Sequence, residues 1–151
     1  MRVSAKTDYA VRALLELTEA DGGPMKGEQL SQAQQIPLKF LENILTDLRH
    51  AGIVRAQRGA EGGYWLAKPA KDVKLGDVIR AVDGPLASVR GEAPEEVEYL
   101  GPAENLQTVW IALRASMRSV LDELTLADVV AGRMPTRVKR LTEAPDAWSR
   151  R

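Results

Sequence analysis

The sequence contains no cysteine and a single histidine, His50. Without a thiol, the chain can form no disulfide, thiol nucleophile, thiol redox sensor or cysteine-held metal cluster. With one imidazole and no paired carboxylates on a predicted helix or strand, no group of residues has the make-up of a catalytic site. These shortages argue against an enzyme.

Long apolar runs and an excess of charge of one sign are also missing. No stretch approaches the roughly 18 consecutive apolar residues of a membrane helix, and residues 1–6 lack the apolar run of a signal peptide. We therefore expect a cytoplasmic protein with no membrane partner. The chain has 21 basic and 21 acidic residues. Its net charge therefore does not indicate a nucleic-acid partner. An argument for nucleic-acid binding must depend on where the basic side chains lie.

Residues 4–67 show helical periodicity followed by a hairpin pattern. The predicted ranges are 4–20, 27–35 and 37–51 for three helices, and 53–57 and 63–67 for two strands. Ser4 can cap the first helix, Leu30 and Ala33 face inward on the second, and Gly52 ends the third. A helix pair, a third helix and a hairpin in this order are typical of a winged helix-turn-helix. That fold places its third helix in the DNA major groove and the hairpin beside it.

The rest of the chain is predicted as a short helix, a loop and a long helix. The ranges are 75–82 for the short helix, 85–104 for the loop, which is rich in Pro, Gly and Glu, and 105–124 for the long helix. Thr125 and Asp128 resemble a capping pair for a last helix ending at Gly132, before a basic and then irregular tail. We expect a mainly α protein with a small β-hairpin. Its winged helix-turn-helix domain, acidic regulatory loop, dimerisation helices and tail would span residues 1–84, 85–104, 105–132 and 133–151.

The third predicted helix has an apolar face and a polar face that can read base edges. Lys39 and Asn43 can donate to purines, and Glu42 can accept from the cytosine amino group, whereas Arg49 suits a phosphate. The same pattern fits a solvated amphipathic helix in an ordinary helical domain, so the helix alone does not decide between the two.

The predicted turn between the strands carries an arginine followed by glycines. Arg58 can enter a narrow minor groove, where the potential is strongly negative; a plain hairpin whose glycines supply positive φ is the alternative. No Lys-Ser or Lys-Thr pair follows, which excludes a phosphate-binding P-loop. Arg2 and Lys6 either add positive charge near the same face or are solvated surface groups. The helices and hairpin together favour DNA binding more than either does alone.

The long helix carries an apolar stripe that is larger than packing against the small N-terminal domain would require. We therefore predict that it packs against its copy in a second subunit, giving a two-fold dimer that reads a near-palindromic site. An intramolecular core is the alternative. The stripe comprises Leu106, Val109, Trp110, Leu113, Met117, Val120, Leu121 and Leu124.

Six stretches carry a family pattern: residues 1–4, 9–14, 40–45, 48–54, 58–59 with 62–64, and 75–82. They resemble the Rrf2 family of bacterial transcription regulators, which includes iron–sulfur cluster, nitric-oxide-sensitive and cysteine-metabolism regulators. The resemblance implies a homodimer whose long helices cross, with Glu42, Asn43 and Arg58 in base reading and groove insertion. In full, the predicted DNA-contacting residues are Arg2, Ser4, Lys6, Lys39, Glu42, Asn43, Arg49, Arg58, Gly59, Gly62, Gly63 and Tyr64, of which Lys39, Arg2 and Ser4 are supporting.

Many members of that family hold an iron–sulfur cluster through three cysteines in the loop before the long helix. The corresponding loop here, residues 89–104, contains none, and Glu104 stands where the last cysteine would precede Leu106 and Trp110. Because such clusters require thiolates, we expect no cofactor. The five glutamates of this loop either bind a hard cation through oxygen ligands or form a solvated acidic loop.

These observations predict a homodimeric, cluster-free DNA-binding repressor. A small molecule or partner protein acting on the loop and the long helix would set its occupancy of DNA. Tyr64, Trp65, Tyr99 and Trp110 are candidate walls of an effector pocket, although such aromatic residues are more often packing. The alternative, favoured by the zero net charge, is a winged-helix protein–protein module. Such a module would not bind random duplex, whereas a DNA reader should bind it and weaken steeply as salt rises.

Overall fold

The structure, a computed structural model, describes residues 2–150. Met1 and Arg151, at the ends of the predicted N-terminal motif and tail, lie outside the described residues. The helices are α1 (Ala5–Glu19), α2 (Gly27–Gln34), α3 (Leu38–His50), α4 (Leu75–Asp83), α5 (Leu106–Leu121), α6 (Leu126–Ala131) and α7 (Thr136–Thr142), and the strands are β1 (Val54–Gln57) and β2 (Gly63–Leu66). The predicted class, mainly α with one antiparallel hairpin, is confirmed. Within residues 2–150 no helix combines the length and apolar character that a bilayer crossing requires.

Helix α1 is the centre of the body. Ser4 caps it as predicted, since its Oγ accepts a hydrogen bond from the Thr7 amide at 2.9 Å. The apolar stripe of α1 packs against α2, α3, α4 and α6. The core it organises is aliphatic and includes Ala10, Ala13, Leu14, Leu17, Leu30, Ile36, Leu41, Ile44, Leu45, Leu48, Val78 and Leu126. Each large aliphatic side chain buried there contributes roughly 1.5–3 kcal/mol to folding, so the body is stabilised without a disulfide.

The turn between α2 and α3 depends on one residue with a left-handed backbone. Gln35 has a φ of 52°, which reverses the chain and directs the buried Ile36 side chain into the core. The Ile36 amide bonds to the Ser31 carbonyl at 3.0 Å, and the Ser31 hydroxyl donates to the Ile36 carbonyl at 2.6 Å. These bonds fix the angle between the two helices of the helix-turn-helix.

The prediction that Ala33 faces inward is wrong, because this side chain is exposed. The inward position after the buried Leu30 falls four residues later, at the half-buried Gln34. Its backbone carbonyl accepts a hydrogen bond from Arg12 at 3.1 Å, and its side chain donates to Glu16. The inward position that the helical period assigned to Ala33 is therefore taken by Gln34, which makes polar contacts with α1.

The hairpin after α3 closes tightly because of two glycines. A Cβ on Gly62 would lie 2.1 Å from the Gln57 carbonyl oxygen, and one on Gly63, whose φ is 148°, would lie 2.7 Å from the Met25 carbonyl oxygen. Met25 and Tyr64 exchange two backbone hydrogen bonds, of 2.7 and 2.9 Å. The loop between α1 and α2 therefore lies along the hairpin and fixes its orientation on the body.

Helix α5 differs from the other long helices, since none of its 16 residues is buried. Its partly covered side faces the loop at 85–104. There the Trp110 indole nitrogen donates to the Tyr99 hydroxyl at 2.8 Å, and Arg114 forms an ion pair with Glu95. The other side of α5 has no partner among the described residues.

Helix α6 returns to the body. Thr125 and Asp128 form the predicted capping box, with the Asp128 amide donating to Thr125 Oγ1 and the Thr125 amide to Asp128 Oδ2, both at 3.1 Å. Leu126 is fully buried in the core. Leu124 is only 6% exposed, because a hydrogen bond of 2.9 Å from the Leu75 amide to its carbonyl draws this segment against α4. The structure therefore removes Leu124 from the predicted dimerisation face.

The sequence does not predict α7, which lies in the tail that we expected to become irregular. Pro135 occupies its N-cap position. Its seven residues are too few for an apolar period to show, and Leu141 stays exposed while Val138 is half-buried.

Candidate nucleic-acid interface

Helix α3 lies on the body by its apolar face and turns its polar face to solvent. The buried residues, each 0% exposed, are Leu41, Ile44, Leu45 and Leu48. The predicted recognition residues, all exposed, are Lys39, Glu42, Asn43 and Arg49. Because the helical period separates the two sets, burial of the first set fixes the direction in which the second points. All four recognition residues are accessible to a partner.

An open, polar groove of about 500 Å³ lies between α3 and the hairpin. Of the predicted DNA-contacting residues, those that line it are Glu42, Arg49, Arg58, Gly59, Gly63 and Tyr64. Those that do not are Arg2, Ser4, Lys6, Lys39, Asn43 and Gly62. The charged groups of the lining are three cations, Lys26, Arg49 and Arg58, and two carboxylates, Glu28 and Glu42. The groove is therefore locally basic although the chain as a whole is neutral.

Lys26 is a groove residue that sequence reasoning missed. Its ammonium group donates a hydrogen bond to the carbonyl of Gly59 at the hairpin tip. Together with the backbone pairing of Met25 and Tyr64, this bond holds the hairpin beside the start of α2. No local pattern could have shown it, because the two partners are 33 residues apart in the chain.

The glycines of the hairpin have two different roles. Gly62 and Gly63 are buried, and each allows a close backbone approach that a Cβ would block. Both glycines therefore have a structural role. Gly62 lies outside the groove, whereas Gly63 also lines it. Gly59 is exposed with a φ of 103°, and no atom lies within 4 Å of a Cβ built on it. The tip of the hairpin is therefore open beside Arg58.

Two of the predicted N-terminal contacts are engaged within the body. The Ser4 hydroxyl caps α1 and donates to Asp83 at the end of α4. Lys6 forms an ion pair of 2.7 Å with Asp47 of α3. The hydrogen bond from Ser4, a second one from Thr7 and the charge of Lys6 together hold the pKa of Asp83 below its usual value. These contacts connect three helices, so both side chains already have a structural role.

The predicted dimerisation residues of α5 are not equivalent. Trp110 and Leu113 border a cavity beside the loop, so part of their surface faces their own chain. Val109 is 53% exposed, and Ile111, which sequence reasoning omitted, is 38% exposed. Between these two, on the helical period, lies a face of small exposed residues: Thr108, Ala112, Ala115 and Ser116. The open side of α5 is therefore shifted from the centre of the predicted stripe.

The acidic loop before α5 assembles no metal site in the part of the chain that the structure describes, where no group of three or more His, Cys, Asp or Glu side chains could hold an ion. Glu95 pairs with Arg114, and Glu96 accepts a hydrogen bond of 3.3 Å from the Ala93 amide. An iron–sulfur cluster needs thiolates, and the chain has none. These donors fit neither a cluster nor the hard cation considered from the sequence.

Comparison with known proteins places this architecture in a family. Residues 3–132 match the Rrf2 family, described as an iron-dependent transcriptional regulator. A Mycobacterium tuberculosis protein named as an HTH-type transcriptional regulator is 52% identical over 144 residues, which cover 95% of this chain and 89% of the relative. The structure of CymR, the global cysteine regulator of B. subtilis, matches with a TM-score of 0.74 at 32% identity, covering 87% of this chain and 98% of that one.

The structure of IscR from T. potens matches with a TM-score of 0.69 at 31% identity, covering 87% of this chain and 88% of that one. The fold, the helix-turn-helix and the hairpin are thus shared with proteins named for transcriptional regulation. The chain belongs to the Rrf2 family of DNA-binding transcriptional regulators, which are not enzymes.

Proposed function

We propose that this protein acts in the cytoplasm as a homodimeric repressor that binds a near-palindromic site in double-stranded DNA. Helix α3 enters the major groove and the hairpin enters the adjacent minor groove. The observation that carries this proposal is the polar groove between them, with a guanidinium on each wall, Arg49 on α3 and Arg58 on the hairpin. A sugar-phosphate strand suits such a groove because guanidinium groups pair with phosphate in bidentate geometry.

The exposed face of α3 supplies base recognition in this proposal. Asn43 can bond the N6 and N7 positions of adenine, Lys39 can donate to guanine, and Glu42 can accept from the cytosine amino group. All three are exposed on a helix whose opposite face is held rigidly in the core. Their positions in a DNA groove are therefore set by the packing of α3 and not by a flexible loop.

The hairpin supplies the second contact. Its tip is open around Gly59, so Arg58 can approach the floor of a minor groove, where a narrow groove concentrates negative potential. Lys26 and Met25 hold the hairpin on the body, and thereby fix the distance from Arg58 to α3. Lys26 is a positioning residue in this account.

A second copy of the chain is the proposed partner of α5. The helix has no buried residue, and Val109, Ile111 and the small face between them are open. Small side chains let two helix backbones approach closely, while the flanking aliphatic groups contribute apolar burial. A two-fold axis through this contact pairs two copies of α3 and of the hairpin, which is why we expect a near-palindromic site.

We assign regulation to the region formed by the loop at 85–104 and α5. A small molecule or partner protein that binds there more tightly in one arrangement of the dimer would shift the population between DNA-binding and non-binding states. We assign no step to iron, because the residues of this loop do not fit it.

The experiment that tests the DNA contact compares two arginines of the same hairpin. Arg58→Ala should weaken binding to a fluorescently labelled duplex roughly tenfold, since a charged contact is lost. Arg55→Ala is the matched control, because Arg55 is exposed on β1 but does not line the groove. Fluorescence anisotropy at several salt concentrations measures both.

The wild-type protein should bind random duplex at low salt and weaken steeply as salt rises. Equal losses for the two variants would remove the hairpin tip from the mechanism. Absence of any duplex binding at low salt would instead indicate a winged-helix module that serves protein–protein contact.

A further inference from the structure

A cavity of about 410 Å³ lies between α5 and the segment that leads out of α4. Its volume falls within the range of about 300–1,000 Å³ that is usual for small-molecule pockets. It shares no lining residue with the groove between α3 and the hairpin. It is therefore a candidate site distinct from the proposed DNA contact.

Three arginines from two helices line this cavity: Arg80 from α4, and Arg114 and Arg118 from α5. Arg114 and Arg118 are four residues apart and so lie on the same side of α5. Glu92 is the one carboxylate among the residues that line the cavity. Among the lining residues themselves, cations therefore outnumber carboxylates, before the ion-pair partners of the arginines are counted.

Two of these arginines already have carboxylate partners. Arg80 forms a bidentate pair with Asp122, with both nitrogen–oxygen distances at 2.9 Å, and lies 3.2 Å from Asp77. Arg114 pairs with Glu95 of the loop. These pairs neutralise most of the charge of both guanidinium groups and hold them at the cavity wall.

Arg118 differs from the other two. Its side chain is exposed and forms no hydrogen bond or ion pair with any other residue between 2 and 150. A guanidinium presents five donors in a planar fork that matches a carboxylate. The charge of Arg118 acts on Asp122 and Glu95 from beyond ion-pair distance. The cavity thus has one guanidinium without a direct partner among residues 2–150, beside two that are already oriented by carboxylates.

The rest of the wall is largely apolar. It includes Pro85, Leu86, Ala87 and Ala93, and Ser88 is a polar residue of the same segment. Inorganic anions gain nothing from such a surface, whereas a short aliphatic chain does. The lining is therefore suited to an acid group attached to a small apolar body.

The segment at residues 85–88 borders a second cavity as well. A second cavity of about 470 Å³, lined in part by Trp110 and Leu113, borders the same residues 85–88. None of the residues 85–88 is buried. The segment therefore has few packing contacts to hold it and can shift when a cavity beside it is filled.

We propose that the cavity between α5 and residues 84–93 binds a small organic carboxylate, whose acid group pairs with Arg118. The aliphatic part of the ligand lies against Leu86 and Ala93. Binding in this cavity regulates the protein, and this second statement rests on the proposed DNA-binding function.

Arg80 and Asp122 provide the connection to DNA binding. Asp122 caps α5 and lies directly on the backbone of α4, where a Cβ on Gly76 would be 1.9 Å from its Oδ1. A carboxylate bound at Arg118 lies beside Arg80 and competes with Asp122 for its guanidinium. The ligand thereby loosens the pair that joins α4, a part of the body that holds α3, to the end of α5.

Isothermal titration calorimetry of the full chain tests the site directly. The probes are acetate, succinate and citrate at constant ionic strength, with uncharged succinamide and inorganic phosphate as comparisons. We expect at least one of the three carboxylates to bind saturably, one per chain, and succinamide not to bind. If none of them binds saturably, or if phosphate binds and the carboxylates do not, the assignment to an organic acid is overturned.

Three variants make the test specific to Arg118. Arg118→Gln should weaken carboxylate binding about tenfold or more, because a charged hydrogen-bond donor is lost, and Arg118→Lys should retain part of it. Arg133→Gln is the matched control, since Arg133 is also exposed but lies outside the cavity. Circular dichroism confirms that each variant is folded. Equal weakening by Arg118→Gln and Arg133→Gln would show non-specific attraction and overturn the site.

Duplex binding measured with and without the carboxylate separates this inference from the proposed function. We expect the carboxylate to change the apparent affinity of the wild-type protein for duplex and to leave that of Arg118→Gln unchanged. If duplex binding is present but unaffected by a carboxylate that does bind, the regulatory statement fails and the site stands. If the carboxylate binds but duplex does not, the proposed DNA-binding function fails.

Discussion

Helices α3 and α5 have similar amphipathic sequences, but the chain buries only one of them. The leucines and isoleucine of α3 lie in the core between α1, α2 and α4. Helix α5 is three residues longer and has no buried residue at all. Its apolar groups are shared between the loop at 85–104, where Trp110 bonds to Tyr99, and an open face around Val109.

The comparison shows that an apolar stripe predicts burial without showing what provides it. For α3 the chain itself supplies the covering surface, so its polar face is presented to a partner in a fixed direction. For α5 the chain leaves one side open, and we propose that a second copy covers it. The helix that we propose for DNA recognition is therefore fully packed by its own chain on one face, whereas the helix that we propose for assembly is not.

The largest expected effect separates these two kinds of burial. Leu45→Ala on α3 should lower the free energy of unfolding by about 2–5 kcal/mol, because it leaves a cavity in a closed core. Val109→Ala on α5 should lower stability only by weakening the dimer. The loss of stability should therefore grow with protein concentration, as the fraction of dimer rises. Thermal and urea unfolding at several protein concentrations measure both. A loss for Val109→Ala that is independent of concentration would place α5 in an intramolecular core.

A second prediction contrasts two glycines of the hairpin. Gly63→Ala should destabilise the protein by about 1–3 kcal/mol, because its φ is 148° and its Cβ would lie 2.7 Å from the Met25 carbonyl oxygen. Gly59→Ala should cost less, because its φ of 103° strains an alanine backbone but no atom lies within 4 Å of the added Cβ. Chemical unfolding ranks the two, and equal losses would contradict the close approach of the hairpin to the loop before α2.

A third prediction concerns base preference on α3. Glu42→Ala should relax the choice of base at one position of each half-site by about 1–3 kcal/mol, while total affinity for duplex changes less. Selection of binding sites from random DNA measures the consensus of each protein. Glu19→Ala is the matched control, because Glu19 is an exposed carboxylate on α1 outside the groove. An unaltered consensus for Glu42→Ala would exclude Glu42 from base reading.

The smallest expected effect is a dependence on pH at the junction of α1 and α4. Hydrogen bonds, the one from Ser4 above all, lower the pKa of Asp83 below its unfolded value of about 3.9. The stabilisation is therefore complete above that value and is lost as the pH falls through the lower pKa of the folded state. The stability difference between the wild-type protein and Asp83→Asn should be constant at neutral pH and shrink below about pH 4. A difference that persists unchanged at low pH would contradict this role.

Local chemistry is what the sequence predicts best. Ser4 caps α1, Thr125 and Asp128 cap α6, and the glycine at 52 follows the end of α3, because each depends on residues within a few positions of each other. The apolar face of α3 was equally predictable, since the helical period alone separates it from the polar face.

Long-range contacts could not be predicted in the same way. The bond from Lys26 to the hairpin tip joins two segments that are 33 residues apart, and the pair between Arg80 and Asp122 spans 42 residues. The buried position of Leu124 depends on the approach of α4 to the end of α5, which no periodicity shows. The sequence therefore predicted the two walls of the groove, α3 and the hairpin. It did not predict the residues that fix the distance between them.

Sedimentation equilibrium of the protein bound to a duplex recovered by site selection shows most directly whether two chains, joined through the open face of α5, present two copies of α3 and the hairpin to one DNA site. We expect a complex with the mass of two chains on one duplex. A complex of one chain per duplex, with the same affinity for a half-site as for the whole site, would contradict this arrangement.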